Sequence, residues 1–135
     1  NQLAMAAGTV VMNRVSKPEF LEEVVEKGKI IEERLLALKE KTKIIGDVRA
    51  KGLMIGTEFV NPKGQPDGLG SLPASGEIAA KVQKLCFENF LVVEKGGRNG
   101  SVMRCLCALN ISEEDVNKAM DIFEKCVLQV NEEYK

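Results

Sequence analysis

Val92-Val93-Glu94-Lys95-Gly96-Gly97-Arg98-Asn99-Gly100-Ser101-Val102-Met103-Arg104-Cys105-Leu106 reads as two short β runs joined by a glycine-rich turn, with one arginine in the second run. Asn99-Gly100 is a strong hairpin signal, because turns that match strand twist need positive φ, which Asn and Gly adopt readily. Side chains alternate along a strand, so Met103 and Cys105 are expected on one face and Val102, Arg104 and Leu106 on the other. An arginine sharing a face with Val102 and Leu106 must reach solvent or find an anion. An acid on the adjacent strand, such as Glu94, would satisfy it, and so would the carboxylate of a ligand.

Upstream, Ile44 to Val60 has β-type composition broken by glycines and reads as a second antiparallel pair meeting near Ala50 to Gly52. Two helices precede it. Residues 3–15 are apolar nearly all round and rich in small side chains, which suits a helix approached on several sides. Such a helix is either a core element or one that packs on a domain outside this chain. Ser16-Lys17-Pro18-Glu19 has the form of a capping box, with Val15 and Phe20 spaced for a hydrophobic staple. From there Phe20, Val24, Ile31, Leu35 and Leu38 recur at helical spacing to about Lys41, while the acids between them form a solvated face. Gly28 in that helix implies close packing or a bend.

Residues 61–73, with prolines and glycines, form a polar loop. Ser75 or a neighbour can cap a helix carrying Ile78, Val82, Leu85 and Cys86 and ending near Asn89. After the hairpin, Ser112 caps a final helix whose first turn holds Glu113, Glu114 and Asp115, with Ile111 stapled to Val116. Helix, helix, strand, strand, helix, strand, strand, helix contains too few crossovers for a doubly wound parallel sheet. The expected fold is α+β: a small, mainly antiparallel sheet of about four strands with helices packed on one face.

Nineteen basic and twenty acidic residues leave a net charge of -1, so there is no basic footprint for nucleic acid or a membrane surface. No apolar run approaches a membrane span and no signal peptide opens the chain, which makes the cytoplasm the expected location. There is no histidine, and Cys86, Cys105, Cys107 and Cys126 lack metal-ligand spacing. Zinc sites and histidine-based nucleophilic catalysis therefore lose their usual parts, and the thiols are expected to be buried and inert. Cys105 and Cys107 would share a strand face if the strand ran through both, a poor geometry for a disulfide.

Three segments, in order, resemble the class III pyridoxal-phosphate-dependent aminotransferases. Asn1-Gln2-Leu3-Ala4-Met5-Ala6-Ala7-Gly8 resembles that family's G-N-x-L-A-x-A-A segment. Gly46 to Glu58 resembles its V-R-G-x-G-L-M-x-G-x-E hairpin, and Arg104-Cys105-Leu106-Cys107-Ala108-Leu109 its R-x-x-P-P-L strand exit with both prolines replaced. Within the family the Gly96 to Gly100 turn is most similar to that of the diaminobutyrate–2-oxoglutarate branch, with 4-aminobutyrate and ornithine enzymes as the alternative branches.

The resemblance implies the C-terminal small domain of a fold-type I enzyme. Residues 1–15 would be an interdomain helix on an absent N-terminal large domain, and residues 16–135 the small domain itself. It further implies a homodimeric full-length transaminase acting on small amino acids and 2-oxo acids. Pyridoxal 5'-phosphate would be held there by residues outside this chain, so that the chain alone binds no cofactor and is inactive. Arg104 would be the substrate-binding arginine that grips an α-carboxylate, with Arg98 and Arg49 as secondary candidates. No catalytic, cofactor or metal residue is expected here. A freestanding amino-acid-binding module and a purely structural domain are the readings of another class.

Overall fold

In the computed structural model, which describes residues 1–134, helices α1 (Gln2–Val15) and α2 (Pro18–Lys41) come first, followed by the hairpin β1 (Ile45–Lys51) and β2 (Met54–Phe59). Helix α3 (Gly76–Glu88) leads to β3 (Glu94–Gly96) and β4 (Val102–Cys105), and α4 (Glu113–Asn131) closes the fold. The four strands form one antiparallel sheet in the order β1-β2-β4-β3. This is the expected α+β architecture.

Strand alternation decides which side chains enter the core. Ile55, Thr57, Phe59 and Met103 are buried beneath α2 and α3, which contribute Ile31, Leu35, Leu38, Ile78, Val82 and Cys86. Helix α4 packs across α2 and α3, burying Val116, Met120, Phe123, Val127 and Val130. The opposite face of the sheet carries Met54, Arg49, Arg104 and Glu94, all exposed. Helices α2 and α3, with α4 packed across them, thus lie on one side of the sheet, and the other side is open.

Gly28 packs rather than bends. A Cβ at this position would collide with the backbone of Gly52, the glycine at positive φ (55°) in the β1–β2 turn. Helix α2 therefore crosses the hairpin at backbone contact, which only a side-chain-free residue allows. At the other end of the helix, the buried Asn131 side chain accepts the Lys43 N–H at 2.9 Å, fastening the α2–β1 link to α4.

Ser112 caps α4 as its spacing predicts, its Oγ accepting the Asp115 N–H at 3.0 Å, and Ser75 caps α3 through the Ile78 N–H at 3.3 Å. Ser16 does not cap α2. Lys17 occupies that position without a side-chain bond, and the Ser16 hydroxyl donates back to the Met12 carbonyl at 2.7 Å, so the serine closes α1 instead. The two helices are separated by so few residues that Ser16 still belongs to the last turn of α1, and Pro18 starts α2 without it. Loop 61–73 is closed at its neck by the Asn61 N–H to Pro73 carbonyl bond and organised by Asp67, whose carboxyl accepts from Leu69 and Ser71. Those backbone donors, Ser71 first, hold the Asp67 carboxyl below its usual range.

Helix α1 is the exception to this packing. Asn1 caps it through the Leu3 and Ala4 N–H groups, yet none of its residues is buried: Leu3 is 83% exposed, Met5 72% and Val10 69%.

Candidate functional site

The open face of the sheet is built by register. Arg49 on β1, Gly56 on β2, Arg104 on β4 and Glu94 on β3 stand opposite one another in a single row across the four strands. The next row holds Asp47, Glu58, Val102 and Gly96. Two arginines therefore flank a glycine, with acids at both edges of the patch.

Arg104 points outward, as alternation from the buried Met103 requires, and its Nη2 donates to Glu94 Oε1 at 2.5 Å. Both side chains are 46% exposed. The guanidinium lies over Gly96, where a Cβ would stand 2.7 Å from Nη2. The glycine keeps that space clear for the arginine. An exposed pair of this kind contributes about 0–1 kcal/mol, so the Glu94 carboxylate is a displaceable partner.

Arg49 is more firmly held. Its Nη1 donates to Asp47 at 2.6 Å within β1, and its Nη2 to Glu58 at 3.0 Å, which ties β1 to β2. Hydrogen bonding to Glu58, then to Asp47, raises its already high pKa. Arg98 lies in the exposed 3₁₀ turn Arg98–Gly100 between β3 and β4, and among the described residues its side chain forms no ion pair. The three arginines named from the sequence thus divide: Arg104 and Arg49 share the open face, and Arg98 stands in the turn beyond it.

Beside Arg104 a cleft of about 310 Å³ enters between the sheet and α4, lined chiefly by Leu91, Val93, Met103, Cys105, Met120 and Phe123, with Glu94 and Arg104 also on its wall. The lining is apolar and contains no lysine. A pyridoxal group needs an amine for its aldehyde and several donors for its phosphate, which this wall does not offer. What the open face can do is hold a carboxylate: an outward-facing guanidinium with parallel donors suited to two oxygens.

Two of the four cysteines depart from expectation. Cys86 and Cys126 are buried, and burial, reinforced by Cys126, pushes the Cys86 thiol up to about 12. Cys105 and Cys107 are only half-buried, and their sulfurs lie 3.7 Å apart because β4 ends at Cys105 and the chain turns.

One cluster escapes sequence reading altogether. Arg34 on α2 donates to Glu124 at 2.6 Å, to Asp121 at 2.6 Å and to the Asn117 carbonyl at 3.2 Å, joining α2 to α4. Its only sequence signal is a charge beside the apolar stripe, between Ile31 and Leu35. Asp47 was more legible as a partner of Arg49, since opposite charges two apart on a strand share a face.

The class III aminotransferase model matches residues 1–127. A diaminobutyrate–2-oxoglutarate aminotransferase of Haemophilus influenzae is 36% identical over 95% of this chain and 28% of its own length. A second, from Rhizobium meliloti, is 39% identical over 87% of this chain and 25% of its own. The crystal structure of N-acetylornithine aminotransferase from Stenotrophomonas maltophilia superposes with a TM-score of 0.77 at 20% identity, over 94% of this chain and 31% of that one, a likeness of fold. The chain spans about a quarter of the length of the curated relatives it matches.

Proposed function

The chain belongs to the class III aminotransferase family, and from that premise we propose that it is the C-terminal small domain of a longer, dimeric, pyridoxal-phosphate-dependent transaminase. The longer enzyme moves an amino group between L-2,4-diaminobutyrate and the glutamate/2-oxoglutarate pair. The kinship with two diaminobutyrate–2-oxoglutarate enzymes supports the choice of amino donor. Among the described residues no helix is long and apolar enough to cross a membrane, and four free thiols suit the reducing cytoplasm, our proposed location.

The single observation that carries the site is Arg104. Its guanidinium faces outward on the open sheet, already bound to one carboxylate at 2.5 Å. When a 2-oxo or amino acid arrives, its α-carboxylate takes the place of the Glu94 carboxylate. A charge-assisted hydrogen bond contributes about 1.5–3 kcal/mol, and two parallel ones exceed the roughly 0–1 kcal/mol of the exposed pair they replace. The cofactor of the longer enzyme supplies the electron sink for amino transfer. This chain contributes binding and orientation: Arg104 holds the carboxylate and Gly96 leaves room for the arginine. Arg49 has no part in this and braces the hairpin.

Helix α1, largely apolar and with no buried residue, is proposed as the element that packs on the large domain of the same polypeptide. The substrate assignment is tested on the longer protein by supplying diaminobutyrate, ornithine and 4-aminobutyrate in parallel with 2-oxoglutarate and following glutamate. The expected order places diaminobutyrate highest in kcat/KM by at least about tenfold, equivalent to about 1.4 kcal/mol of transition-state discrimination. A preference for ornithine or 4-aminobutyrate would move the protein to another branch of the family.

A further inference from the structure

Cys105 and Cys107 flank Leu106 where the chain leaves β4, and both line the cleft beside Arg104. Two residues apart on a continuous strand, they would project in parallel and could not be joined without moving the backbone. The strand stops at Cys105, however, and the turn that follows brings the two sulfurs to 3.7 Å, in direct contact. No proline lies between Arg104 and the start of α4, so the backbone torsions of Leu106 and Cys107 remain free to adjust. Both thiols are half-buried, whereas Cys86 and Cys126 are buried in the core among α3 and α4 side chains.

From this arrangement we infer that Cys105 and Cys107 form a reversible dithiol/disulfide pair, a modification site for small-molecule disulfides of the glutathione class. The Cys107 thiolate attacks one sulfur of the small disulfide, forming a mixed disulfide and releasing one small thiolate. Cys105 then loses its proton to solvent, attacks the Cys107 sulfur and expels the second small thiolate. Two protein thiols are oxidised and one small disulfide is reduced to two thiols. Burial, followed by the influence of Cys107, holds the Cys105 thiol up at about 11, which keeps its thiolate fraction low, so the closing step draws on the contact between the two sulfurs. A reduced small thiol in excess reverses both steps. The ring ties the exit of β4 into one conformation at the residue following Arg104.

The test is incubation of the purified chain with oxidised glutathione, followed by acid quench, intact mass and a non-reducing peptide map. The expected product has two of the four thiols lost, a mass lower by two hydrogens with no glutathione retained, and one peptide linking Cys105 to Cys107. Dithiothreitol restores all four. Cys107→Ser removes the ring and leaves at most a glutathione adduct on Cys105; Cys105→Ser leaves a stable adduct on Cys107. Separate adducts on both cysteines of the unaltered chain, a link between two chains, or oxidation of Cys86 and Cys126 in their place would overturn the inference.

Discussion

At the scale of single residues, the pair Arg104–Glu94 bears on both ways of satisfying an arginine on that strand: Arg104 holds an acid of the adjacent strand, and in the proposed function a ligand's carboxylate would compete for the same donors. Glu94→Gln tests the competition in the longer protein. The amide keeps size and shape but gives up the charge, so KM for 2-oxoglutarate is expected to fall about two- to fivefold, as removal of a pair contributing about 0–1 kcal/mol allows. A rise in KM would mean that Glu94 holds Arg104 in place for the ligand instead of competing with it. That Arg104 faces outward was legible from alternation alone. Its resting on Gly96 was not, because the residue beneath a long side chain depends on the register between β3 and β4, which the turn composition leaves open.

At the scale of elements, local signals were readable and non-local contacts were not. The Ser112 cap, the Ser75 cap and the meeting point of β1 and β2 all depend on residues within a few positions of one another. Ser16 shows how such a signal misleads: a serine three residues before a glutamate caps a helix only if the preceding helix has already ended, and here it has not. Gly28 was visible as an anomaly, but its partner Gly52 lies in another element, and only the packing of α2 on the hairpin brings them together. Gly28→Ala inserts a methyl group where backbone already stands. A loss of about 1–3 kcal/mol is expected in urea unfolding of the chain, despite the better helix propensity of alanine. Unchanged or increased stability would show that α2 can withdraw from the hairpin without cost.

At the scale of the whole molecule, the order of elements and the α+β class followed from capping and periodicity, whereas the strand order β1-β2-β4-β3 did not. The β2–β4 pairing spans more than forty residues and depends on how α3 crosses the sheet, so no short window records it. Helix α1 tests the place proposed for this domain in a longer protein. Deleting residues 1–15 removes no buried side chain and is expected to shift the melting temperature of the chain by only a few degrees. In the longer protein, by contrast, Val10→Asp would place a charge against the packed helix and cost about 1–3 kcal/mol. A strong effect of the deletion on the isolated domain, or no effect of Val10→Asp on the longer protein, would contradict the docking role.

The central claim is that this domain supplies the carboxylate clamp through Arg104, and steady-state kinetics of Arg104→Ala in the longer protein tests it most directly. Losing one or two charge-assisted bonds to the substrate is expected to raise KM for 2-oxoglutarate by about ten- to a hundredfold, with Arg104→Lys only partly restoring it because an ammonium lacks the planar fork. A KM for 2-oxoglutarate unchanged in Arg104→Ala, with the fold and cofactor content intact, would contradict it.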